Sequence, residues 1–286
     1  MSELEAQEFP GGEPAKSERE GLPPGYRMRA DPHYVELLSS GGRADRARAE
    51  ARTLSRDTDL PAPSASPRVL CDRRVFDQLS EDIAAIESAA GMLASETSPL
   101  ARRVSLDLIK AQAARAAWLL RAHALLGGAA PEAAPKRRPV GLLLGAMRDR
   151  LAVECRLVGV GLQVATDAPA EVTIDDTTLS LGVTGAVLAL LGLVAGTDGA
   201  LIRIEPIVEQ DGEEDDLQAV EISQDVVAIT VTARQRFFEP DWTDRPGGWL
   251  AATGAAVAQA ASERLGGRAT LTAGTKRGCV IRLGFA

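Results

Sequence analysis

The chain has 286 residues, 45% of them hydrophobic and 25% charged, which is enough for a real core and for one or two domains. Its net charge of -8 argues against nucleic acid as a main partner, because phosphate recognition needs a basic face. Two histidines, His33 and His123, and three scattered cysteines without a CxxC or zinc-ligand spacing argue against a structural metal or a dithiol redox site.

An odd number of cysteines argues against a disulfide framework and predicts a reducing, cytoplasmic setting. No uninterrupted run of about 18 apolar residues occurs, and the first residues lack the basic-then-apolar order of a signal peptide, so no membrane partner is expected. Residues 1–66 are rich in Glu, Arg, Pro, Gly and Ser and read as a mostly disordered tail. Within it, residues 22–38 hold both tyrosines, Tyr26 and Tyr34, after a Pro-Pro-Gly turn, and read as a docking segment.

From residue 69 the pattern becomes helical. Val75, Leu79, Ile83, Ile86, Ala90 and Leu93 follow helical spacing and predict one apolar stripe. Ser98 followed by Pro99 is a helix-start signal, and Val104, Leu108, Ala111, Trp118, Ala122 and Leu125 mark a second helix ending at Gly127 and Gly128. Two such helices make an antiparallel hairpin over 69–128. A hairpin buries its stripe poorly alone, so a homodimeric four-helix bundle is expected.

Residues 129–138 read as a connector, and 139–286 alternate helix and strand. Helices are expected over 140–155, 177–195 and 249–265, and strands over 161–165, 171–175, 200–205, 226–231, 268–272 and 279–283. The acidic stretch 209–216 reads as a solvated hairpin tip. The fold class is α+β: tail, helical hairpin, then an α/β sandwich with helices on one face of a mixed, largely antiparallel sheet.

This order resembles the cytoplasmic core of bacterial sensor histidine kinases, over roughly residues 70–286. In that family a dimerising, phosphoaccepting hairpin precedes a Bergerat-type ATP-binding sandwich. Local echoes carry the likeness. Asp175-Asp176-Thr177-Thr178-Leu179 is similar to the start of the family's ATP-binding helix, and Leu265-Gly266-Gly267-Arg268 and Thr275-Lys276-Arg277-Gly278 look like its final hairpin.

The departures matter more. Counting from Asp175, the family's two Mg²⁺-holding asparagines fall on Gly185 and Ala189, neither of which offers an oxygen ligand, and the chain contains no asparagine at all. Where the family keeps an adenine-accepting Asp-x-Gly stands Ala233-Arg234-Gln235, and the later glycine box keeps only Gly254. The phosphoacceptor position falls on Glu81 or Asp82 in place of a histidine. His123, near the end of the second helix, does not match it.

The resemblance therefore implies a catalytically inactive, histidine-kinase-like homodimer without ATP or Mg²⁺ as cofactor. Its partner would be a response regulator receiver domain or a kinase, bound near Asp72, Phe76, Ser80, Ile83 and Glu87, with Glu81 and Asp82 mimicking a charged phosphoacceptor. The alternative is a divergent ATP-binding histidine kinase or a phosphotransfer protein. A nucleophilic hydrolase and a Walker-loop enzyme are disfavoured, since neither GxSxG nor GxxxxGK[ST] is present.

Overall fold

A computed structural model of the chain describes residues 67–95, 98–128, 134–168, 170–211, 214–239, 247–274 and 278–285. The proposed tail and its 22–38 segment lie outside the described residues. Helices α1 (Pro67–Ser95) and α2 (Pro99–Leu126) follow one another and pack together. The Ser98 hydroxyl caps α2 by accepting from the Ala101 N–H at 3.5 Å, one residue ahead of Pro99, as the start signal predicted.

The packing differs from the expected stripe in one respect. Among the α1 residues whose burial is described, 73–95, the buried positions are Val75, Asp82 and Ala89, seven residues apart, whereas Ile83 is 53% exposed and Ala90 is also exposed. Leu79, Ile86 and Leu93 lie between the two sets and are half-buried. The apolar stripe is thus wider than α2 covers, and an aspartate occupies the centre of the covered part.

After α2 come β1 (Lys136–Pro139), α3 (Val140–Leu157), β2 (Gly161–Val164), β3 (Glu171–Ile174) and α4 (Asp176–Val194). Then follow β4 (Leu201–Asp211), β5 (Glu214–Gln224), the short α5 (Val231–Gln235), α6 (Gly248–Arg264), β6 (Ala269–Ala273) and β7 (Cys279–Gly284). Five strands form one sheet in the order β2-β4-β5-β7-β6, with β2 and β4 parallel and every other neighbour antiparallel. The β3–α4 segment makes the crossover that a parallel pair requires. The expected mixed, largely antiparallel sheet is present.

Alternation along the strands sets its two faces. Ile202, Ile204, Ile222, Ile281 and Leu283 are buried in the core, where β5 and β7 pack on α4 and β7 also on α6, while Glu221 and Arg282 pair at 3.8 Å. Two elements depart from the sequence reading. Lys136–Arg138, read as the charged end of the connector 129–138, belongs with Pro139 to a strand that pairs antiparallel with β3, held by Arg137 and Glu171 at 2.6 Å. An exposed edge pair tolerates such residues.

Residues 226–231, read as a central strand, lie outside the sheet, and β4 pairs with β5 instead. The cause is Gln224. Its buried Oε1 accepts from the N–H groups of Val226 and Val227 at 2.9 and 2.8 Å. Its Nε2 donates to the Val227 carbonyl at 2.6 Å and to Cys279 Sγ at 3.1 Å. These bonds take the backbone partners that a continuing strand would need.

Candidate functional site

Three groups of the predicted residues have distinct surroundings. On α1, Phe76, Ser80, Ile83 and Glu87 are all exposed and fall at spacings of four, three and four, on one helix face. Residue 72 continues that spacing one turn earlier. Phe76 is 67% exposed, an unusual state for a phenylalanine in the middle of a long helix.

Glu81 and Asp82 do not act as a pair. Glu81 is exposed, whereas Asp82 is 1% exposed and turns inward to Arg115 of α2. Arg115 donates to Asp82 from Nε at 3.1 Å and from Nη2 at 2.6 Å, and from Nη1 to Glu154 of α3 at 3.3 Å. Gln112 accepts from the same guanidinium, and Gln78 donates to Asp82 at 3.1 Å. One arginine fork thus ties α1, α2 and α3 together, the geometry for which arginine is suited and lysine is not. Asp82 is a structural anion and is not presented to a partner, which corrects the expectation that both acids stand together at the surface.

The residues expected to form a degenerate nucleotide pocket, Asp175, Gly185, Ala189, Ala233 and Gly254, are brought together only in part. Asp175 caps α4: its Oδ1 accepts from the N–H groups of Thr177 and Thr178 at 3.0 and 3.2 Å, and its Oδ2 from the Thr178 hydroxyl at 2.6 Å. Gly185 and Ala189 meet Gly254 of α6. A Cβ built on Gly185 would lie 2.5 Å from the Gly254 carbonyl oxygen, and one built on Gly254 would lie 2.5 Å from the Gly185 oxygen and 3.2 Å from the Ala189 nitrogen. Ala233 is half-buried in α5, where its N–H donates to the Thr230 hydroxyl at 3.2 Å.

His123 is half-buried near the end of α2. Cys155, next to Glu154, has its thiol pushed up to about 12, first by burial and second by the glutamate's charge. Among the described residues no three His, Cys, Asp or Glu side chains are grouped as metal ligands.

One feature has no counterpart in the sequence reading. A cavity of about 260 Å³ lies where α2, α3 and α4 meet, with Arg115, Trp118 and Arg121 on α2, Met147 and Arg150 on α3, and Ser180 and Thr184 on α4 among its walls. Trp118 Nε1 donates to the Leu181 carbonyl at 3.2 Å, which fixes its ring across the junction. The only prior signal was the unusual presence of Arg115 and Arg121 one turn to either side of Trp118, on a helix face otherwise apolar.

No family model matches the chain, and no curated protein matches it. Among solved structures it is similar to the nucleotide-free catalytic domain of the histidine kinase ThkA, at 13% identity over 52% of this chain and 92% of that one, with a TM-score of 0.40. It is also similar to the Acinetobacter baumannii histidine kinase AdeS, at 11% identity over 72% and 96% of the two chains and a TM-score of 0.41. A third likeness is to the ATP-binding domain of PrrB from Mycobacterium tuberculosis, at 18% identity over 54% and 97%, with a TM-score of 0.38. At these identities and scores the likeness assigns no role to any residue.

Proposed function

We propose that the chain is a catalytically inactive, histidine-kinase-like signalling protein. It works as a homodimer that binds a response regulator receiver domain or a kinase, in the cytoplasm. The observation that carries this reading is the open face of α1, where Phe76 and Ile83 stand exposed on a helix whose neighbouring positions pack on α2. Exposed large apolar side chains in line on a helix face mark an interaction surface.

The half-buried Leu79, Ile86 and Leu93 favour a second copy over the apolar part, closing a four-helix bundle. Ser80, Glu87 and the residue-72 position, with Phe76 and Ile83, form the part offered to the signalling partner. In this reading 69–128 is the dimerisation domain and 139–286 the ATPase-like sandwich. The order of elements, the aspartate that opens α4 and the glycine pair after α6 agree with it.

Inactivity is supported by the α4–α6 contact. An asparagine at position 185 has no space beside the Gly254 carbonyl, and Asp175 already accepts three hydrogen bonds. Without those oxygen donors Mg²⁺ and the ATP phosphates have no holder. The test is light scattering of the full chain with Ile86→Glu and Leu93→Glu, on the apolar part assigned to the second copy, together with titration of ATP and Mg²⁺. A dimer that dissociates in the variants, with no saturable nucleotide binding, is expected. A monomeric native chain, or micromolar ATP binding, overturns the reading.

A further inference from the structure

We propose that the cavity between α2, α3 and α4 is a binding site for a small organic anion with an apolar body. The space, about 260 Å³, corresponds to several water molecules at roughly 30 Å³ each, enough for a ligand of one or two rings. Its walls are three helices of 28, 18 and 19 residues, so its shape is set by the core of the molecule.

The polar groups at this cavity divide into used and unused ones. Arg115 and Glu154 bond to each other at 3.3 Å within the network described above. Arg121 and Arg150 have no ion pair among the described residues, and neither Ser180 nor Thr184 has a side-chain hydrogen bond among them. All four border the same space. Two free guanidiniums suit the two oxygens of a carboxylate, sulfonate or phosphate ester, and the hydroxyls supply further donors.

Asp176 also lies on the wall and opposes an anion, but it already accepts from the Thr177 hydroxyl at 3.5 Å, and two cations face one carboxylate. The cavity also has an apolar lining: Trp118 and Met147, one turn from Arg121 and Arg150 on their own helices, are buried, and the Trp118 ring is held in place by its bond to Leu181. An acid group near the arginines with a ring against Trp118 satisfies both halves.

This site is separate from the degenerate nucleotide pocket. The residues of α4 that border it are Asp176, Thr177, Ser180, Leu181, Thr184 and Leu188, whereas Gly185 and Ala189 turn to α6. A ligand here would touch α2 of the helix pair and α4 of the sandwich at once, so it would clamp the two units together.

Naphthalene sulfonate serves as the probe, with naphthalene methanol as its neutral counterpart, titrated calorimetrically into the full chain. One saturable sulfonate site is expected, tighter than for the alcohol. Arg121→Gln with Arg150→Gln should weaken the sulfonate by about tenfold or more and leave the alcohol unchanged, because only the anion uses the charge-assisted bonds. Ala146→Trp, which puts a large ring at an exposed position of the cavity wall, should abolish both. Circular dichroism checks that each variant is folded; both arginines are exposed, so their replacement leaves the core intact. Absence of sulfonate binding, sulfonate no tighter than the alcohol, or sulfonate binding unchanged in either variant overturns the proposal.

Discussion

Replacing Arg115 by methionine isolates the element that fastens the helix pair to the sandwich. The side chain is 8% exposed and its partner Asp82 is 1% exposed, so the variant leaves a buried aspartate without its cation. Removing one partner of a buried ion pair costs about 3–5 kcal/mol, because the remaining charge keeps its desolvation penalty and loses its compensation. Gln78 still donates to Asp82 at 3.1 Å, which places the expected cost near about 3 kcal/mol. Against a total stability of about 5–15 kcal/mol, this is a large fraction.

The assay is equilibrium urea unfolding followed by tryptophan fluorescence, since Trp118 sits three residues from Arg115 on the same helix. Arg115→Lys should recover only part of the loss, because a single ammonium cannot reach Asp82 and Glu154 in a fork. The triple variant Asp82→Leu, Arg115→Met, Glu154→Leu should return to within about 1 kcal/mol of the native chain, since apolar replacement of the whole set removes the buried charge as well. An Arg115→Met cost below about 1 kcal/mol, or a triple variant no better than the single one, refutes the reasoning.

Gln224→Leu should cost about 2–4 kcal/mol in the same unfolding assay, because it strands the N–H groups of Val226 and Val227 and the Val227 carbonyl. Gly185→Asn should destabilise by several kcal/mol, on the order of an overpacked core site, and gain no ATP binding by calorimetry. Cys155, with its thiol raised from 9.0 to about 12, should carry about a thousandfold less thiolate at pH 8 in the folded than in the unfolded chain. Its labelling by iodoacetamide should therefore be slow until denaturant is added. Because the folded state holds that proton more tightly, the same group makes stability fall as pH rises from about 9 towards 12, and Cys155→Ala should flatten that slope.

Much of this fold can be read in the chain wherever one physical signal dominates. Helical spacing of Leu, Val and Ala placed α4 and α6 within one residue at each end, and alternation found β2, β3, β6 and β7. The misses occur where a polar side chain does a job that periodicity ignores. Asp82 sits at the centre of the covered face of α1 because Arg115 neutralises it there, and a count of apolar residues rotates the helix away from that face. Gln224 ends a strand that composition would continue through Val226 and Val227. Lys136–Pro139 shows no strand pattern and pairs through its backbone. The cavity was invisible for a further reason: Arg121, Arg150 and Thr184 are distant in sequence and meet only once three helices are packed.

The contact between Gly185 and Gly254 also limits how this chain can vary. When two facing residues are large, a gain at one can be offset by trimming the other. Here both are already glycine, each meeting the other's backbone oxygen, and no smaller residue exists. A side chain can enter this seam only if a whole helix shifts, and Gly182 against Ala261 and Gly192 against Ala251 hold the same two helices at close range on either side. Sequence change along α4 and α6 is therefore coupled, and single substitutions at these two glycines have no permissive partner.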